Sequence, residues 1–402
     1  MNHFSEKLVI LILFLIQFID VLDFMIVMPL GPDFTQELGI SNANLGWLAS
    51  SYTIAAAISG ILSSTIIDRF ERKKVLIIAL LGLTIANILS SFAWNIHSML
   101  ASRFLAGIFG GPATSICFAV VSDLFAEKRR GEVMGKVMSG FSLAAIFGVP
   151  IGLEISTHFG WHMSFYMVAL LCIIAIILIV GFMPQINIHK ASAKENKVTY
   201  LSLFGNSKYL LVFLSTCLGS MAAFMIIPYI SPFIQANMNF PRDDIGQIYF
   251  LGGLGSFFAM HLAGKFIDKT SSFLTTALAN IFILFTLVLG IIFKVDYVPI
   301  LLLFSPFMIG MAVRNVSNYT LFSKVPSSND RAGFMSIISC VQHIASSLGA
   351  VLTSMILVTE NNGHLTNMNI VALIALILFL GSPLLLNKVE KKIILANLKK
   401  NS

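Results

Sequence analysis

The sequence predicts an all-α membrane protein of twelve transmembrane helices in two pseudo-symmetric six-helix bundles, with both termini in the cytoplasm. Three observations carry that prediction. First, 57% of the 402 residues are hydrophobic and only 11% are charged, with mean hydropathy +0.88, against roughly 45–50% and 25% in soluble domains. Second, a bilayer core needs about 20 apolar residues per helix. Windows of that length fall at 8–30, 43–67, 75–93, 97–122, 131–157, 163–183, 207–235, 245–267, 273–293, 298–322, 333–358 and 369–387. With no water at that depth to pair the backbone, these segments must be helical. Third, with both termini inside, 22 of the 26 Lys and Arg fall in cytoplasmic loops and tails or at the adjoining cytoplasmic ends of the windows; the exceptions are Arg103 and Arg314 within spans and Arg242 and Lys294 outside. That asymmetry sets the orientation, and basic loops beside anionic lipid account for the net charge of +7 without a nucleic-acid partner.

Taken in order, the first window is too long for the apolar region of a cleavable signal, and no small-residue cleavage site follows it, so a retained span is expected. It contains "QFIDVLDFMIVMPLGP", with Asp20 and Asp23 where lipid would surround a lone helix. The second window ends in the basic loop "DRFERKK". The fourth carries "RFLAGIFGG" and the fifth "GFSLAAIFGVPIGLEISTHFGWHMSF". Glycines at such spacing let helices approach closely, and Pro150 bends the fifth span. A polar linker at 186–206 separates residues 1–185 from 207–387, and 388–402 form a basic tail. The two parts echo each other: "IIDRFERKK" recurs as "FIDKTSS", with Asp268 200 residues after Asp68, and "RRGEVMGK" recurs as "DRAGFMS", with Arg331 201 residues after Arg130. A fixed internal offset in a twelve-span chain signals a duplicated transporter architecture with its site at the interface of the halves. The four cysteines all lie in apolar segments and read as packing residues, not as a disulfide framework or metal cluster.

Charges inside spans are the sharpest signal, each costing about 2.5–3.5 kcal/mol or more at a helix centre. Asp23 lies about 10 Å below the outer end of the first span, and Arg103 about 9 Å into the fourth from the same side. Asp20 is one turn deeper on the same face as Asp23. Arg314 falls nearer the cytoplasmic side of the tenth span, with Asn315 and Asn318 close by. Gln342 and His343 lie near the middle of the eleventh. Met221, Phe224, Met225, Tyr229 and Phe233 in the seventh can line an apolar pocket or simply pack. His343 reads equally as a cavity residue and as a hydrogen-bonded structural one, and His261 in the eighth span reads as structural.

These segments together resemble the major facilitator superfamily along nearly the whole chain, and more narrowly its drug–proton antiporter branch. The loop at Asp68, Arg69, Arg72 and Lys73 is similar to that family's cytoplasmic loop motif, with Ser64 and Glu71 in place of its two glycines; "GKFID" keeps Gly264 and Asp268. Gly107 fits the motif of the fourth span. Gly140, Gly148, Pro150 and Gly152 resemble the antiporters' glycine–proline motif, with Val149 where many members have Gly. The wording of this span is nearest to the arabinose and purine-ribonucleoside efflux permeases, with His162 where those usually have Arg. The resemblance implies a cytoplasmic latch in which Asp68 meets the start of the eleventh span and Arg72 meets Asp123. It also implies that the first and fourth spans are neighbours, which makes an Asp23–Arg103 ion pair reasonable.

The function expected from these readings is proton-coupled export of a small organic molecule, drug or metabolite, by alternating access. No nucleotide-binding loop appears, so no cofactor is expected beyond the proton gradient, and no His-Glu-x-x-His metal motif or soluble catalytic domain suggests an enzyme. The expected partners are a small-molecule substrate, protons and the lipid of a bacterial inner membrane, with a monomer as the family default. One alternative keeps the fold and reverses the flux, a proton symporter importing a nutrient or chelate. Another is an intramembrane enzyme or a non-transporting receptor, which would need a nucleophile–base pair or metal triad within the spans. Among the carboxylates, Asp20 is assigned the proton and Asp23, paired with Arg103, the orienting role. The reverse assignment, or a purely structural role for both, remains open at this point.

Overall fold

A computed structural model of the chain describes residues 5–66, 70–185, 203–296, 298–326 and 331–401. The described residues are helical almost throughout. In the first part of the chain α1 (Glu6–Ile26), the short α2 (Gly31–Leu38), α3 (Leu45–Ile66), α4 (Arg72–Ser91), α5 (Ile96–Leu124), α6 (Glu127–Leu143), α7 (Val149–Phe159) and α8 (Trp161–Phe182) follow one another. The second part contributes α9 (Ser207–Met238), α10 (Ile245–Lys269), α11 (Ser272–Phe285), α12 (Ile300–Phe322), α13 (Arg331–Ile356) and α14 (Met368–Asn401). A two-stranded antiparallel hairpin, β1 (Val358–Thr359) and β2 (Leu365–Thr366), joins the last two helices. Eleven helices among the described residues are long and apolar enough to cross a membrane; α3, which fills the window predicted at 43–67, is not among them.

Three boundaries differ from the predicted windows, each for a local reason. The first window runs to 30, but α1 stops at Ile26, because Pro29 and Pro32 disfavour continuation and start a separate short helix at Gly31. The fifth is one span in two pieces. Pro150 has no N–H to offer, and its ring crowds the carbonyl four residues back, so Ala144–Gly148 widens into a π-turn before α7 begins. The last helix does not end near 387 but runs on to Asn401. The tail is rich in Lys and has neither Gly nor Pro between 388 and 401, so it extends a helix already nucleated.

The chain divides into two compact units, Met1–Ala193 with Pro241–Phe250, and Lys194–Phe240 with Leu251–Ser402. In the first, α1 packs on α5, α6 and α8, α3 on α5, and α4 on both α5 and α8. Glycine sets the closest crossings. A Cβ at Gly107 would overlap the Tyr52 carbonyl, and one at Gly140 would stand 2.9 Å from Phe14 O and Phe18 N. At Gly148 and Gly152 it would meet Leu22 and Ile26 of α1, at 2.9 and 2.6 Å. Thus α6, the π-turn and α7 lie against α1 along its length, and this fixes how α1 presents its carboxylates.

In the second unit α9 packs on α13 and α14, and α11 on α12 and α14. Tyr209, Phe213, Phe334, Leu386 and Val389 form a buried apolar cluster. Beside it Glu390 of α14 accepts from the Ser272 and Phe273 amides at 3.0 and 3.2 Å, neutralising the positive end of α11.

Candidate functional site

Three charged side chains of the first unit, Asp20, Asp23 and Arg103, meet between α1 and α5. Arg103 donates from Nη2 to Asp23 Oδ2 at 2.6 Å, with the two side chains 1% and 0% exposed. The guanidinium also lies 5.6 Å from the ring centroids of Tyr52 and Phe165. Burial this complete makes the pair all or nothing: together the charges cancel, whereas either alone would be a bare ion in a medium that solvates it poorly.

Asp20, one turn away on α1, has a different environment. Tyr52 Oη donates to its Oδ1 at 3.2 Å, and Thr114 Oγ1 lies 3.0 Å from its Oδ2. The same threonine oxygen is 3.1 Å from Gln17 Oε1. A hydroxyl carries one proton, so Thr114 can donate to Asp20 or to Gln17 but not to both. When Asp20 is ionised one of those acceptors goes without. When Asp20 is protonated its own O–H donates to Thr114, which donates on to Gln17, and every oxygen in the chain is paired. The arrangement thus accommodates both protonation states at small cost, and no cation of the described residues forms an ion pair with Asp20. Gly110 leaves room for this cluster: a Cβ there would overlap Tyr52 Oη and stand 2.8 Å from Asp20 Oδ1.

Two further groups lie towards the ends of the spans. At one end Arg72 Nε is 3.3 Å from Asp123 Oδ2, while Lys73 Nζ caps α8 by donating to Val180 O and Met183 O at 3.1 and 2.7 Å. Asp68 and Arg69 lie outside the described residues, as does the side chain of Asp268. At the opposite end Arg242 grips Asp33 through Nε and Nη2 at 2.9 and 2.7 Å, and reaches Ser156 Oγ and Thr157 Oγ1 at 2.9 and 3.1 Å. Burial holds the Asp33 carboxyl above the usual carboxylate range against the pull of Arg242. Beside it Glu37 accepts from Trp161 Nε1 at 2.7 Å and lies 3.4 Å from His162 Nε2.

In the second unit Arg314 is 2% exposed. It donates to Ser382 Oγ at 2.9 Å and stacks 4.9 Å from the Phe379 ring centroid. Asn318, one turn along α12, has a buried Oδ1 without a hydrogen bond. Gln342 accepts from Tyr319 Oη at 3.0 Å. His343 and Phe224 are half-buried on α13 and α9. Tyr229 is fully buried, its hydroxyl bonded to Ala350 O and Ser354 Oγ at 3.1 and 2.8 Å, so its polar end is committed to joining α9 and α13. His261 bonds its own helix, Nδ1 lying 2.8 Å from Phe257 O. Sequence reasoning missed Gln17, Tyr52, Gly110 and Thr114 around Asp20, and Gly219, Phe379 and Ser382 around Arg314. The adjacent Gly110 and Gly111 in the fourth span were the available signal for the first group; for the second there was none.

Apolar helices of membrane-crossing length, with a few carboxylates and guanidinium groups buried among them, describe a multi-pass membrane protein. The profile of the Major Facilitator Superfamily matches residues 13–350, and the chain belongs to that family. Its members are transporters, so the protein is not an enzyme. The chain is 26% identical over 334 residues to the uncharacterized MFS-type transporter YtbD of Bacillus subtilis (strain 168), covering 81% of this chain and 83% of the relative. Among solved structures, it is similar to a point mutant of the nucleoside transporter NupG, at TM-score 0.76 and 16% identity, covering 95% of this chain and 99% of that one. It is also similar to a D-xylose-proton symporter, at TM-score 0.77 and 14% identity, covering 94% and 97%. At these identities the likeness to the solved structures establishes the fold alone.

Proposed function

We propose that the protein is a proton-coupled antiporter of the drug–proton branch that exports a small organic molecule by alternating access. In this reading it has twelve spans in two groups of six, α3 being the one beyond the eleven, and both termini are cytoplasmic. Asp20 carries the proton, the Asp23–Arg103 pair orients the site, and Arg72 with Asp123 belongs to a cytoplasmic gate. The observation that carries the reading is the hydrogen-bond chain Tyr52–Asp20–Thr114–Gln17, which suits a carboxyl group that changes protonation state, beside a neighbour already paired with a cation. Coupling needs only that protonation of Asp20 favour one conformer over the other.

A second reading is import together with the proton, the activity named for a D-xylose-proton symporter that shares the fold. It uses the same carboxyl group and differs only in the direction of flux. A thermal-shift screen over nucleosides, sugars, antibiotics and chelates selects the substrate. Inside-out vesicles with an acidified interior then decide the direction. Accumulation of substrate in the vesicles supports antiport, and expulsion supports symport.

A further inference from the structure

Both units bury an arginine deep in a span, yet only one of them is neutralised. Arg103 has Asp23 at 2.6 Å. Arg314, equally buried, has no carboxylate within ion-pair distance among the described residues. Its Nη2 donates to Ser382 Oγ, which is itself held by Ser215 Oγ at 2.9 Å, and its Nε makes no hydrogen bond. Opposite the guanidinium on α9 is Gly219, where any Cβ would overlap Nη2. The serine pair, the Phe379 ring and the glycine therefore fix the planar head and provide no negative charge.

An uncompensated buried charge is strongly destabilising and is rarely kept without a use. A guanidinium presents its donors in a rigid fork that matches a carboxylate bidentately, and this one has an unbonded donor edge. We infer that Arg314 is the receptor for a single anionic group, a carboxylate on the transported molecule. The inference rests on the transporter reading and adds a substrate class to it, amphipathic monoanions. One fixed positive charge neutralises one negative charge, so a trianion is disfavoured. Because Arg314 is enclosed by α9, α12 and α14, the helices must part for an anion to enter. Occupancy is therefore linked to conformation.

The test is binding at equal pH on both sides, with no gradient, so that its failure is distinct from failure of proton coupling at Asp20. Purified full-length protein in nanodiscs is titrated with sodium benzoate, with benzamide as the neutral isostere and with sodium chloride at matched ionic strength, and the melting temperature is followed. A saturable upward shift is expected with benzoate and none with benzamide. Arg314→Gln should weaken the benzoate response by about tenfold or more, as expected for loss of a charge-assisted contact. Should that variant fold poorly, Ser382→Asp supplies a carboxylate beside the guanidinium. It should melt higher than the unmodified protein and lose the benzoate response. Equal shifts with benzoate and benzamide, a full shift with chloride alone, no shift with benzoate, or an undiminished benzoate response in either variant would each overturn the inference.

Discussion

Removing both halves of the Asp23–Arg103 pair should cost clearly less than the sum of removing each half alone. In Asp23→Asn the guanidinium keeps its two aromatic neighbours at 5.6 Å but faces a neutral amide in place of the carboxylate at 2.6 Å. It becomes a bare cation with 1% exposure, a state that costs about 3–5 kcal/mol in buried pairs. The aromatic faces return only about 1–2 kcal/mol and are present in both forms, so they do not change the difference. Arg103→Gln leaves Asp23 bare in the same way. The double variant Asp23→Asn, Arg103→Gln has no charge to strand and can place two amides in contact. Its destabilisation should therefore fall short of the sum of the singles by about 2–3 kcal/mol. Denaturant unfolding in detergent micelles, followed by circular dichroism, measures all four corners of this cycle. If the single effects add to the double within about 0.5 kcal/mol, the pair is not coupled by charge and the account of the site's rigidity fails.

Three other outcomes follow from the geometry. Gly110→Ala pushes a methyl group into Tyr52 Oη and against Asp20 Oδ1. It should lower proton-driven transport by about fivefold, the worth of one disturbed hydrogen bond, whereas Gly181→Ala, with open space at its Cβ, should leave transport unchanged. Asp123→Asn removes the carboxylate facing Arg72 and should slow transport while the protein still inserts and folds; a wild-type rate would remove this pair from the proposed gate. Burial raises the Asp33 carboxyl, so its protonation begins at a higher pH than for a free Asp, and the pair with Arg242 is present above that range and lost as pH falls. Hydrogen exchange of residues 241–250, corrected for intrinsic rates, should quicken on acidification in the wild type and be fast at every pH in Asp33→Asn. A profile unaffected by that substitution would show that the pair does not hold the segment.

Spans were legible because lipid imposes a length and a composition that any window can detect, and α4, α8 and α9 begin within three residues of where their windows do. Where helices break inside a span was less legible. The bend at Pro150 could be read, but the π-turn that absorbs it depends on how α6 and α7 pack along α1. Depth in the membrane was also readable, since it follows from residue counting, and it brought Asp23 and Arg103 to one level. Rotation about each helix axis was not readable. Thr114 and Tyr52 look like ordinary span residues until α3 and α5 are seen to cross at Gly107 and turn both hydroxyls towards Asp20. Arg242 shows the same limit in another form. The sequence placed it in an outer loop, and nothing in the intervening residues indicates that it folds back onto Asp33, 209 positions earlier.

The division of labour between the two carboxylates is tested most directly by measuring two fluxes on one variant. In proteoliposomes, Asp20→Asn should abolish accumulation driven by a pH gradient while sparing exchange of labelled for unlabelled substrate at equal pH. The asparagine keeps one oxygen to accept from Tyr52, and its amide N–H can donate to Thr114 as the protonated carboxyl does, but it cannot change its charge. Asp23→Asn should damage both fluxes, because it strands Arg103 at the site. Should Asp20→Asn still concentrate substrate against its gradient, Asp20 is not the proton carrier and the central assignment is wrong.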